Sequence, residues 1–106
     1  MNYNQFLQTI DEFNQGDGQF NHGTSIDAFL FNNKWYPVKA FVNQALTDNS
    51  TTHEAIKKVV SLIPYIRIKE DVDFSNSNNL PISLTDQEKM EELRILVQRM
   101  NDLVYS

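Results

Sequence analysis

The stretch that decides the fold is Ile26-Asp-Ala-Phe-Leu-Phe-Asn-Asn-Lys-Trp-Tyr-Pro-Val-Lys-Ala-Phe-Val-Asn-Gln-Ala-Leu46, a hairpin that runs directly into a helix. Ile26 to Phe31 is an aromatic-rich strand. Asn32-Asn33 is a two-residue turn whose side chains tolerate positive φ, and Lys34 to Tyr36 begins the return strand. Pro37 stops that strand, because its fixed φ and missing N–H suit the first position of a helix. Val38, Phe41, Val42, Ala45 and Leu46 then recur at helical spacing as one apolar stripe.

Upstream, Tyr3, Phe6, Leu7, Ile10 and Phe13 predict a first amphipathic helix over 3–14, broken by Gly16-Asp17-Gly18. A polar loop from Gln19 to Ser25, containing His22, leads into the hairpin. Downstream, Thr51-x-x-Glu54 is a capping box, and Ala55, Ile56, Val59, Val60 and Ile63 give a third helix its buried face until Pro64 ends it. Tyr65 to Lys69 alternates, with Ile66 and Ile68 on one side and Arg67 and Lys69 on a wet side, so it reads as a strand. Residues 70–84 are polar and turn-prone and read as a mobile linker. A second capping box, Thr85-x-x-Glu88, opens a long helix whose stripe is Met90, Leu93, Leu96, Val97, Met100, Leu103 and Val104. The spacing from Leu93 through Val97 and Met100 to Val104 resembles a short heptad.

These elements predict one α+β domain. A small antiparallel sheet from 26–31, 34–37 and 65–69 is packed by three helices, and a long C-terminal helix is appended. The expected organisation is a core over 1–69, a linker over 70–84 and an amphipathic helix over 85–106. A chain of 106 residues buries roughly 60 to 70% of its unfolded surface, enough for one modest core. It has no cysteine, which suits a reducing compartment, and its start lacks the basic and apolar regions of a signal peptide. The expectation is a cytoplasmic protein with no membrane partner.

Nothing in the chain assembles a reaction. Adjacent Asp11 and Glu12 diverge on a helix, and Asp71 and Asp73 lie in the polar segment, so neither pair is a catalytic dyad. His22 has Asp17 and Ser25 nearby in sequence but no Gly-x-Ser-x-Gly elbow. Three glycines in all leave no phosphate-cradling loop, and His53 reads as a first-turn residue. The expectation is a non-enzyme with no catalytic residues, metal ligands, cofactor or small-molecule substrate.

Charge is segregated along the chain. Residues 1–33 carry Asp11, Glu12, Asp17 and Asp27 with no base, a net −4; residues 34–69 are +4 and residues 70–106 are −5. The basic middle contains Lys34, Lys39, Arg67 and Lys69, a candidate phosphate surface. Lys39 stands in the first turn of a helix, where a cation does not stabilise the dipole and an anion is welcome. Trp35 or Tyr36 could stack on a base. Alternatively, both are ordinary strand aromatics and the lysines are merely solvated. Leu93, Val97 and Met100 are candidates for a partner or homodimer surface, with Glu88, Glu91 and Glu92 on the helix's exposed side.

Around the hairpin the chain resembles the small N-terminal head domains of McrA-type modification-dependent restriction endonucleases and related prokaryotic defence nucleases. Asn33, Lys34, Tyr36, Pro37, Lys39 and Ala40 match a strand-turn-Lys-x-Tyr-Pro-Pro-Lys-Ala-helix pattern, with Val38 where that family often has a second proline. The resemblance implies a DNA-associated binding module, in restriction or phage defence, that contacts DNA or a nuclease. A second reading is a phage or mobile-element inhibitor of the anti-CRISPR kind, which would block a host nuclease by protein-protein contacts.

Overall fold

A computed structural model describes residues 1–18, 26–75, 77 and 80–105. The expected loop over 19–25, His22 included, lies outside them. Helix α1 (Tyr3–Asn14) is fixed at both ends by local hydrogen bonds. Asn2 Oδ1 accepts from Gln5 N–H at 2.8 Å, and Gln5 Oε1 accepts from Asn2 N–H at 2.9 Å, a reciprocal cap. At the other end Gly16 N–H donates to Phe13 and Asp17 N–H to Glu12, the Schellman pattern, with Gly16 at φ +84° where a side chain would be strained.

Strands β1 (Ile26–Phe31) and β2 (Lys34–Pro37) pair antiparallel around Asn32 and Asn33, both at positive φ as a tight hairpin turn requires. β2 extends through Pro37, which caps helix α2 (Val38–Leu46) rather than opening it. Helix α3 (Thr52–Leu62) starts from Thr51, whose hydroxyl accepts from Glu54 N–H at 3.2 Å. The sheet is completed by β3 (Ile68–Val72) and β4 (Ile82–Ser83), all antiparallel in the order β3-β1-β2-β4. Helix α4 (Asp86–Tyr105) is the last described element.

The period of two along β1 and β2 divides the side chains between two faces. Phe29 and Tyr36 face the three helices and join Phe6, Phe13, Val38, Phe41, Val42 and Val59 in the main core. Phe41 is its hub, with ring centroids 4.9 Å from Phe29, 5.2 Å from Phe6 and 5.4 Å from Phe13. On the opposite face Ala28 and Trp35 are covered by Val72, Phe74 and Leu84.

That second cluster corrects two expectations. Residues 70–84 are not simply a linker: they supply the end of β3, all of β4 and the buried side chains of Phe74 and Leu84. The third strand runs over 68–72 rather than 65–69, and Tyr65 stands out in solvent. β3 shifts register against β1 by a bulge, with Glu70 and Asp71 spanning the interval that Asp27 alone spans on β1. Asp71 takes φ +57°, a conformation that Asp tolerates better than most residues.

Candidate functional site

The six residues expected to meet nucleic acid do not form one surface. Trp35 is 5% exposed and Tyr36 is fully buried, so neither ring offers a face to a base, correcting the stacking reading. The Tyr36 hydroxyl donates to Asn14 Oδ1 at 3.3 Å, and burial pushes its phenol above the ordinary range. Lys34 Nζ donates to the same oxygen at 3.2 Å, tying the hairpin tip to the end of α1. Lys39 is exposed on the first turn of α2 and lines a shallow cleft with Asp27 and Thr52.

Arg67 and Lys69 point to the Trp35 face of the sheet, where α4 meets them with acids. Arg67 Nη2 lies 3.6 Å from Glu92 Oε1, and Lys69 Nζ lies 5.7 Å from the centroid of the Trp35 ring. Glu88, in the cleft between them, has its carboxyl held below the usual range. The chief cause is the Thr85 backbone N–H, with the Lys69 charge and the Trp35 indole N–H as smaller contributors. The indole N–H itself is buried with no partner in hydrogen-bonding geometry among the described residues. Of the two cations expected to make a free phosphate surface, Arg67 is paired within the fold and Lys69 stays exposed beside Trp35 and Glu88.

Helix α4 docks by its charged edge. Glu88, Glu92, Ile95 and Arg99 are half-buried and recur at spacings of four, three and four, one line along the helix. Arg99 Nη1 donates to the Tyr65 carbonyl at 3.1 Å, and its guanidinium sits 6.0 Å from that tyrosine's ring centroid. Glu92 keeps only 19% of its side chain in water, so Glu88 and Glu92 face the sheet rather than a free side. Glu91 remains outside, 3.7 Å from Arg94.

At about 100° per residue, Val97 lies about 180° around the helix from Glu88. Met90, Leu93, Val97, Met100 and Val104 share that outer face, with Leu96 and Leu103 on one flank, and these seven are 47 to 78% exposed. Beside the leucine flank a largely apolar groove of about 380 Å³ is lined by Tyr65, Leu96, Met100 and Leu103, with Arg99 and Asp102 as its charged members. Sequence periodicity found the stripe but not the part played by Tyr65 and Arg99, which meet only because residues 63–67 turn back beneath α4.

Among the described residues no three His, Cys, Asp or Glu side chains gather as metal ligands, and no helix is long and apolar enough to cross a membrane. Comparison of the chain with protein families, curated proteins and solved structures finds no match.

Proposed function

We propose that this chain is a small non-enzymatic binding module of the cytoplasm that works by protein-protein contact through the outer face of α4. The observation that carries the reading is the orientation of that helix. An amphipathic helix serving only its own domain turns its apolar stripe inward. Here the charged line is inward and seven large apolar side chains are in water. A contiguous exposed apolar face of this kind marks an interaction surface, unlike the singly scattered hydrophobics of an ordinary monomer surface.

The resemblance of Asn33 to Ala40 to the head domains of defence nucleases is the ground for the setting, DNA restriction or phage defence. Within it, contact with a nuclease, including blocking it as an inhibitor does, uses a protein surface of the kind α4 offers. Contact with DNA retains Lys34, Lys39 and exposed Lys69 but loses the stacking rings, and Arg67 is paired with Glu92. The test is substitution of Leu93 and Met100 by Asp, separately. Each variant is expected to keep its circular dichroism and melting temperature and to lose association with candidate defence nucleases in gel filtration and in DNA-cleavage assays. Unfolding by either change would place the stripe in the domain's own core and overturn the reading.

A further inference from the structure

We infer that the occupant of the α4 face is a second copy of this chain, paired antiparallel about a twofold axis. This inference rests on the reading of α4 as a recognition surface and names its partner.

The exposed residues Met90, Leu93, Val97, Met100 and Val104 are spaced three, four, three and four, the a/d pattern of a helical seam. A seam of that period is filled by a helix of the same period, and each copy of the chain carries one. A twofold axis makes the patch its own complement. No charge lies on the seam from Met90 to Val104, and Glu88 and Glu92 are turned to the opposite edge. The negative charge of the protein therefore does not oppose the approach of two copies along this line.

The flanks choose the direction. One carries Lys89, Leu96 and Leu103; the other carries Arg94 and Asn101. Parallel pairing sets unlike flanks together, which places Lys89 against Arg94 and Leu96 against Asn101 and leaves Leu103 unopposed. Antiparallel pairing sets like against like. In the register that pairs Leu93, Val97, Met100 and Val104 and leaves Met90 outside the overlap, Val97 packs on Met100 of the second copy and Leu93 on its Val104. Leu96 then meets Leu103 of the second copy on one side, and Arg94 meets its Asn101 on the other. The groove beside Leu96 and Leu103, walled by Tyr65, continues the apolar surface and widens it beyond the narrow stripe of a bare coiled coil. That extra width matters because two heptads alone are marginal. A lipid surface is the poorer occupant: α4 holds Asp86, Glu88, Glu91, Glu92 and Asp102 against three bases, and membrane-surface helices are rich in Lys and Arg.

The chain has no cysteine, so engineered ones report the pairing directly. Sedimentation of the full chain should show a concentration-dependent dimer, with Leu93→Asp raising its dissociation constant by roughly 100-fold while circular dichroism stays unchanged. On mild oxidation, Leu96→Cys mixed with Leu103→Cys should give a disulfide-linked dimer. Met90→Cys alone should not, because the two copies of that position lie about 25 Å apart in this register at 1.5 Å rise per residue. A disulfide from Met90→Cys alone would overturn the antiparallel arrangement, and no cross-link in the mixture would overturn the register. A wild type that stays monomeric at every concentration, or that sediments with anionic vesicles instead, would overturn the second copy. If Leu93→Asp remains folded in that case, the recognition surface stands and only its occupant is wrong; if Leu93→Asp unfolds, the surface itself fails.

Discussion

Arg67 and Glu92 face each other at 3.6 Å across the junction of β3 and α4, so one cation of a strand that is basic in sequence is paired by an acid of the last helix. The same contact fixes which way α4 faces. With its Glu92 edge held against the sheet, the helix has its Val97 edge outward. The charge pattern and the exposed stripe are thus two consequences of one docking geometry.

A partly exposed ion pair contributes about 0.2–1 kcal/mol, so its loss should loosen α4 without unfolding the domain. Arg67→Glu is expected to speed amide hydrogen exchange along α4 and to leave exchange in α1–α3 and the melting of the main core nearly unchanged. Combining it with Glu92→Arg should return α4 exchange toward wild type. If Arg67→Glu leaves α4 exchange unaltered, the pair does not orient the helix.

Glu88 gives the junction a pH dependence whose sign follows from its depressed folded pKa. A carboxyl held low favours the folded state above its ordinary titration range, and that contribution is lost as pH falls through the folded value. Acid should therefore loosen the first turn of α4 while neutral pH keeps it docked. Trp35, the one tryptophan, lies buried beside Glu88 and reports this directly. Its emission is expected to shift to longer wavelength below the usual carboxylate range. Glu88→Gln should remove most of the pH dependence, and an unchanged acid transition in that variant would exclude Glu88 as its source.

The main core answers to a different residue. Phe41 is fully buried and touches the rings of Phe6, Phe13 and Phe29, so no small side chain can replace its contacts. Phe41→Ala should cost about 3–5 kcal/mol, close to the whole stability of a small domain. Leu93→Asp, on the far side of α4, should change stability by no more than about 0.5 kcal/mol at concentrations low enough that both proteins are monomeric. Urea unfolding of the two variants side by side checks both values, and comparable losses would mean that α4 is part of the core.

That contrast shows what could be read from residues alone. Asn32-Asn33 could only turn, Pro37 could only introduce a helix, and two Thr-x-x-Glu boxes marked helix starts, so the hairpin and all four helices were legible from local chemistry. β4 was not, because two residues carry no period. Phe74 and Leu84 close short apolar alternations, Val72-Asp73-Phe74 and Leu80-Pro81-Ile82-Ser83-Leu84, on either side of a run of Ser and Asn, and only the folded sheet shows that they cover Trp35. Alternation told which side of the strand Trp35 takes, but whether that side is roofed is a tertiary fact. The stripe on α4 was plain. Its outward direction was not, since the ordinary expectation for an apolar stripe is the reverse and the long-range contacts of Arg67 and Arg99 decide it.

The burial of the hairpin aromatics makes a sharp statement about nucleic acid. Stacking of a base on Trp35 or Tyr36 would require the sheet to open, and the hydrogen bond from Tyr36 to Asn14 would be lost with it. What remains near the hairpin is Lys34 and exposed Lys39, enough for phosphate contacts but not for base readout. Any duplex binding should therefore be weak, insensitive to sequence and reduced by salt with the shallow slope of about two phosphates. Fluorescence anisotropy with Lys34→Ala and Lys39→Ala together should abolish it, whereas Arg67→Ala should matter little because Glu92 already occupies that guanidinium. Sequence-selective binding that survives the double substitution, or quenching of Trp35 by single-stranded DNA, would restore the stacking surface and make DNA the partner.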